Sequence, residues 1–229
     1  MAEKKQSGKK SEPSAIAKFY LLAYNGVQTL GWTYLLLNTA IHFLDRGTLD
    51  TLWPQIKWTV IIFQNAAVLE VLHAAVGLVP SSVFVVLMQV YSRVFLVCGI
   101  LLVTYGATIS PGIALCVFAW SITEIIRYGY YTLNLVNGVP RLLLFLRYST
   151  FLILYPLGIT GELLCMYHAL DEIAEKNIFT MTMPNDWNIL FNYYYFVIFY
   201  MILYIPLFPV LFGHMLSQRR KMLNKCKTE

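Results

Sequence analysis

Six long apolar runs, at about 19–44, 56–79, 83–105, 112–135, 141–168 and 187–216, are set apart by short polar or turn-forming segments. Each run is of the length that an α-helix needs to cross the hydrocarbon core, roughly 20 residues at 1.5 Å per residue. The separators are Asp45-Arg46-Gly47, Pro80-Ser81-Ser82, Ser110-Pro111-Gly112, Asn137-Gly138-Val139-Pro140 and an acidic stretch from Asp171 to Asp186. Between the second and third runs, a proline followed by two serines predicts a hairpin rather than one broken helix. The pattern predicts an all-α fold, a polytopic membrane bundle of six transmembrane helices. No internal repeat accompanies it, so nothing points to the inverted-repeat architecture of many transporters.

Composition agrees with the pattern. Of 229 residues, 58% are hydrophobic and 13% charged, more apolar side chain than one soluble core can hide. Six spans leave no room for a separate soluble catalytic domain, so any chemistry belongs to residues on or between helices. The expected organisation is a disordered basic tail over 1–18, a transmembrane catalytic domain over 19–216 and a second basic tail over 217–229. Lys4, Lys5, Lys9, Lys10 and Lys18 lie in the first tail, and Arg219, Arg220, Lys221, Lys225 and Lys227 in the second. The longest loop is acidic, with Asp171, Glu172, Glu175 and Asp186 against Lys176. The positive-inside rule then puts both termini in the cytoplasm, which requires an even number of spans. The first apolar run is too long for a signal peptide and lacks a small-residue cleavage site. Cys98, Cys116, Cys165 and Cys226 have neither paired nor metal-like spacing, and read as inert hydrophobes. The expected surroundings are the lipid bilayer, with no nucleic acid, cofactor or metal.

Ionisable side chains inside hydrocarbon cost several kcal/mol and require a partner, a wet cavity or a function. Six fall inside the runs: Glu70, Arg93, Glu124, Arg127, Arg147 and Glu162. Three acids and three bases are the balance expected if they converge on one polar interior. Gln89 and Arg93 are four apart and Glu124 and Arg127 three apart, so each pair shares a helix face. In the fifth run, Arg147, Tyr155 and Glu162 fall within a stripe about 80° wide, with Tyr155 and Glu162 about 10.5 Å apart along the axis. Interhelical ion pairing alone would explain Glu70, Arg93, Glu124 and Arg127. It explains Tyr155 and Glu162 less well, because Pro156, Gly158 and Gly161 lie beside them, loosening the helix and letting a ligand approach. The histidines His42, His73, His168 and His214 lie on different runs and read as structural. Tyr193, Tyr194 and Tyr195 read as an interfacial belt.

At these residues the chain resembles the 3-hydroxyacyl-CoA dehydratases of very-long-chain fatty acid elongation, also named protein tyrosine phosphatase-like. The run from Leu146-Arg147-Tyr148 through Leu154-Tyr155-Pro156-Leu157-Gly158 to Gly161-Glu162-Leu163-Leu164 is similar to the family's most recognisable segment. The likeness continues through Glu70, Gln89-Val90-Tyr91-Ser92-Arg93 and Trp120 to Tyr128, and covers about 20–215. The resemblance implies six spans in the endoplasmic reticulum membrane and a catalytic pair, Tyr155 and Glu162. It implies a long-chain 3-hydroxyacyl-CoA as substrate. It also implies elongation-cycle partners: the condensing enzyme, the ketoacyl reductase and the enoyl reductase. The phosphatase name does not carry over, since a phosphatase loop needs an arginine six residues after its cysteine and none of the four cysteines has one. The ending Lys225-Cys226-Lys227-Thr228-Glu229 looks like a lysine-based retrieval signal.

Eliminating water from a 3-hydroxyacyl thioester needs a base for the α-proton and an acid for the leaving β-hydroxyl. Glu162 as base and Tyr155 as acid fit that demand; the roles can also be exchanged, or Tyr155 can polarise the carbonyl. Arg93, Arg127 and Arg147, with Glu70, Gln89, Glu124 and Gly158, are the expected supporting residues, the arginines suiting CoA phosphates or positioning of the pair. Two rival readings use the same features: a transporter with buried acids and broken helices, and a silent scaffold of the elongation complex.

Overall fold

The computed structural model describes residues 14–79 and 81–228. The basic tail before residue 14, the turn residue Pro80 and the terminal Glu229 lie outside the described residues, as do the side chains from 223 on, Cys226 and the retrieval-like lysines among them. Nine α-helices and one π-helical segment account for nearly all of what is described. They are α1 (Ala15–Leu44), α2 (Leu49–Ala66), α3 (Val68–Ala75), α4 (Val83–Val94), the π segment Phe95–Leu101, α5 (Tyr105–Thr108), α6 (Pro111–Leu135), α7 (Arg141–Ser149), α8 (Phe151–Lys176) and α9 (Tyr193–Thr228). Taken as rods, these are α1, α2 with α3, α4 with the π segment, α6, α7 with α8, and α9.

Helix ends follow local chemistry. Ser14 Oγ accepts the N–H of Ala17 at the start of α1. Ser110 caps α6 by accepting from Gly112 N at 3.1 Å, with Pro111 in the first turn, where its missing N–H costs nothing. His42 closes the α1–α2 turn through Gln55 at 2.6 Å and the Thr48 carbonyl at 3.0 Å, a structural use like those of His73 with Tyr20 and His168 with Ser110.

Five helices are long and apolar enough to cross a membrane: Leu49–Ala75, Val83–Leu101, Pro111–Leu135, Phe151–Lys176 and Tyr193–Met222. The expectation of six is met to that extent. α1 has the length, 30 residues, but too many polar side chains for the same composition. Other boundaries move. The second rod starts at Leu49 rather than 56 and is interrupted at Ala67. The fifth is interrupted at Thr150 and runs on to Lys176, so Asp171, Glu172 and Glu175 sit on helix rather than in a loop. Glu172 there accepts from Gly106 N at 2.9 Å and Lys176 at 2.6 Å. α9 continues through Arg219, Arg220 and Lys221, where a tail was expected. Pro156 does not break α8, because a helix tolerates a missing donor when neighbours support it. Of the tyrosine run, Tyr193 is buried and donates to the Gly99 carbonyl at 2.8 Å, while Tyr195 is exposed.

The rods form an open ring. α1 packs on α6, α6 on α8, α8 on α9, and on the other side α1 on α2 and α4 on α2 and α3, but α4 and α9 do not pack along one another. One end of the bundle is a solid core of Leu52, Ile56, Ile100, Ile113, Met166 and Ile173, all fully buried. At the opposite end the space between the rods is open.

The α6–α8 crossing sets the geometry of everything between. A Cβ on Gly161 would lie 2.8 Å from the Gly112 carbonyl and 2.9 Å from Cys116 N, and one on Gly112 would lie 2.5 Å from the Gly161 carbonyl. The two backbones therefore touch without side chains between them. Gly161→Ala should lower unfolding stability by about 1–3 kcal/mol despite alanine's better helix propensity, read as a reduced denaturation midpoint in detergent. Gly129→Ala, where an added Cβ meets nothing within 4 Å, should be neutral or stabilising in the same assay.

Candidate active site

The open half of the ring is a cavity of about 1910 Å³. All nine residues singled out from sequence line it: Glu70, Gln89, Arg93, Glu124, Arg127, Arg147, Tyr155, Gly158 and Glu162. Its mouth is framed by Ser14 of α1, Ser82 before α4, Asn134 of α6, Arg147 of α7 and Gln218 of α9, and its floor is the solid core.

Four of the six buried charges form one alternating chain. The Arg127 guanidinium holds Glu70 through two parallel bonds at 2.7 and 2.8 Å and gives its Nε–H to Glu124 at 2.7 Å. The second oxygen of Glu124 takes the guanidinium of Arg93, and the Tyr128 hydroxyl adds a bond to Glu70. Acid and base alternate as Glu70–Arg127–Glu124–Arg93, so the chain is neutral and ties α3, α6 and α4 together. Glu124, only 1% exposed, has both oxygens matched by guanidinium donors, the geometry in which a buried pair recovers its desolvation cost.

The other two charges share the cavity, as expected of all six, but form no ion pair among the described residues. Glu162, 5% exposed, is held by neutral donors: Trp120 Nε1 at 3.1 Å on one oxygen and the Tyr204 hydroxyl at 2.7 Å on the other. Arg147 lies among aromatic rings, 4.5 Å from the Tyr130 centroid, 4.7 Å from Tyr131 and 5.9 Å from Tyr148, with one bond to the Tyr131 hydroxyl at 3.2 Å. It therefore does not hold Tyr155 or Glu162, the orienting role open to it from sequence. It faces α6 instead, on Tyr130 and Tyr131.

Tyr155 lies one helical stretch nearer the mouth than Glu162 on α8. Its ring stacks on Phe208 and Phe212 of α9, with centroids 5.4 and 6.3 Å away, which fixes the ring. Its hydroxyl makes no hydrogen bond among the described residues. Gly158, between them, faces α6, where an added Cβ would meet Ala119 Cβ at 3.7 Å and Trp120 Nε1 at 3.9 Å, ordinary contact distances. Gly161 serves helix packing and not ligand approach. Gln89 is exposed on the cavity wall. The Arg93 guanidinium lies 5.9 Å from the Trp120 ring centroid, linking the charge chain to the Glu162 environment. No cluster of His, Cys, Asp and Glu able to hold a metal occurs among the described residues.

Sequence reasoning gave no role to Trp120 or Tyr204. Trp120 stands four residues before Glu124 and so shares its face, a usable signal. Tyr204 sits among 16 tyrosines and carries no local mark.

The family model described as protein tyrosine phosphatase-like protein, PTPLA, matches residues 64–225. Very-long-chain (3R)-3-hydroxyacyl-CoA dehydratase 2 of Mus musculus is 42% identical over 216 residues, 94% of this chain and 85% of its own. The dehydratase hpo-8 of Caenorhabditis elegans is 44% identical, covering 89% of this chain and 94% of its own. The dehydratase PASTICCINO 2A of Oryza sativa subsp. japonica is 38% identical, covering 93% and 97%. No solved structure matches.

Removing one member of the charge chain strands the others in the bundle. Glu124→Ala leaves Arg93 and one side of Arg127 unmatched and should cost roughly 3–5 kcal/mol of stability, measured by denaturant titration in detergent or as loss of folded protein on size exclusion.

Proposed function

The chain belongs to the protein tyrosine phosphatase-like PTPLA family, and on that premise we propose that it is a very-long-chain (3R)-3-hydroxyacyl-CoA dehydratase, a hydro-lyase releasing trans-2-enoyl-CoA in the third step of fatty acid elongation. The observation that carries the reading is Glu162, a deeply buried carboxylate facing a large cavity and hydrogen-bonded by neutral donors. Its oxygens accept one bond each from Trp120 and Tyr204, which leaves lone pairs for a proton.

Glu162 takes the α-proton of the bound thioester. Tyr155 gives its hydroxyl proton to the β-hydroxyl as the C–O bond breaks, and water leaves. Electron density passes from the broken C–H bond into the new C=C bond. Glu162 is then protonated and Tyr155 is a phenolate, and transfer of one proton from the acid to the phenolate resets the pair. Charge gathering on the thioester oxygen during proton removal needs a positive neighbour. Arg93 suits this, beside Trp120 with one N–H committed to Glu124. At the mouth, Arg147 in its aromatic surround and Arg219, whose Nε is 3.5 Å from Ser149 Oγ, suit CoA phosphates.

α1 serves as the sixth span. Its inward stripe is Leu21, Asn25, Gln28, Trp32, Leu35, Thr39 and His42, and its outward stripe includes Phe19, Val27, Leu30, Tyr34, Leu37 and Ile41. Polar side chains inward and apolar ones outward is the arrangement lipid requires. Six spans with basic residues on the last turns of α9 put both termini in the cytoplasm of an endoplasmic reticulum protein, where the condensing enzyme and the two reductases of the cycle are its partners.

The decisive measurement is conversion of a purified long-chain 3-hydroxyacyl-CoA to the enoyl product. Glu162→Gln and Tyr155→Phe should each lose about 100-fold or more in kcat while folding normally. Tyr204→Phe, which removes one bond to Glu162, should lose about 10-fold. Wild-type turnover in either of the first two variants withdraws that residue's assignment. Uptake into proteoliposomes without conversion would favour the transporter reading.

For topology, a glycosylation acceptor placed within 178–192 should be modified and tags at both termini should resist a lumenal probe. Modification of a terminal tag would mean an odd number of spans.

A further inference from the structure

The dehydratase reading leaves open where a very long acyl chain goes once its thioester reaches Glu162. Two directions are closed. Beyond Glu162 the bundle is solid, with Ile113, Met166 and Val197 fully buried. Toward the mouth, Glu162 lies eleven residues past the start of α8, about 17 Å along the axis, and that length is needed by the pantetheine arm. A saturated chain of about 24 carbons extends roughly 30 Å, the thickness of the hydrocarbon core, and fits in neither direction.

A third direction is open. α4 and α9 border the cavity without packing along each other. Tyr91, Phe199 and Leu207 line the cavity and are 48, 58 and 37% exposed, and Leu87 and Ile202 on the same two helices are exposed without lining it, so the cavity wall and the outer surface meet along these side chains. The deep lip of the gap is an aromatic bridge from Phe95 to Tyr200, with centroids 4.5 Å apart, and from Tyr91 to Tyr200 at 6.2 Å. Tyr200 in turn contacts Tyr204, the donor to Glu162. The opening thus begins at the depth of the reacting carbons and faces the bilayer, and its walls are apolar at Met88 and Leu203.

Building on the dehydratase reading, we propose that the gap between α4 and α9 is a lateral portal through which the acyl chain of the substrate leaves the cavity and lies in the bilayer. The portal handles the first carbons beyond the hydroxyl and leaves the remainder to lipid. The protein therefore measures no upper chain length: a chain long enough to reach the portal meets the same environment whatever its further extent.

The test uses the full chain in lipid nanodiscs with two 3-hydroxyacyl-CoA probes carrying a diazirine at the acyl terminus, one of about 24 carbons and one of about 8, which span roughly 30 and 10 Å. After irradiation the long probe should label lipid and outward positions such as Leu87 and Ile202, and the short probe the cavity wall near Leu203. Long-probe adducts on Met166 or Ile113, or on His214 at the mouth, would overturn the portal. Enoyl product in the same incubation reports the reaction separately, so failed chemistry with labelled lipid sinks the dehydratase reading and leaves the portal standing. In a second arm, Met88→Trp combined with Leu203→Trp should cut the ratio of long-chain to short-chain turnover by about ten-fold or more. A ratio within about two-fold of wild type refutes the path, and a loss of overall activity does not disturb the ratio.

Discussion

Charge cannot sit unmatched in hydrocarbon, and the architecture around the cavity is arranged by that constraint. Glu70, Arg127, Glu124 and Arg93 are on three rods that a neutral chain of guanidinium–carboxylate contacts holds in one register. Each acid borders a base on either side or is completed by Tyr128. Because the four neutralise one another, they leave Glu162 its own surroundings of indole and phenol. Each oxygen of Glu162 takes one neutral donor and faces the cavity, whereas both oxygens of Glu124 are taken by guanidiniums. The same residue type is thus locked into an ion-pair chain at Glu124 and left facing the cavity at Glu162, where we place the chemistry, and the difference lies in the neighbours.

The departures from regular helix fall beside these side chains. The second rod is interrupted at Ala67, three residues before Glu70; the π segment starts two residues after Arg93; the fifth rod breaks at Thr150, between Arg147 and Tyr155. A straight helix fixes the direction of every side chain it carries, at about 100° per residue. An irregularity shifts the phase of the side chains beyond it, and π segments of this kind recur beside functional sites. The α6–α8 crossing stays regular and close, with Gly112 against Gly161, giving the other rods a fixed reference.

Much of this was readable from the chain. Apolar runs located the first, third and fourth rods to within about a turn, while the second starts earlier, at Leu49, the fifth runs on to Lys176 and the sixth is shifted to Tyr193–Thr228. Ionisable residues inside those runs located the cavity wall, since polar side chains in such sequence have few places to go. Three things were not readable. The interruption at Thr150 has no proline or glycine at its site, while Pro156 stands inside an uninterrupted α8. Which charges pair depends on rod rotation, and Arg147 shows the result, packed on Tyr130 and Tyr131 rather than near Glu162. Trp120 and Tyr204 reach Glu162 only through tertiary placement, with 42 residues separating each from it in sequence.

The inward stripe of α1 has a consequence for how the protein is made. Asn25, Gln28 and Thr39 are buried within the bundle, and α1 packs chiefly on α6, whose first residue is synthesised 67 positions after Leu44. Thr39 returns its hydroxyl to the Leu35 carbonyl of its own helix, whereas Gln28 gives its amide N–H to the Phe63 carbonyl of α2, which is made later. On our reading of α1 as a span, that stripe enters lipid ahead of the helices that cover it. Integration of the chain then becomes a cooperative act between segments, and a lesion on the faces of α2 or α6 that meet α1 would injure insertion as well as packing.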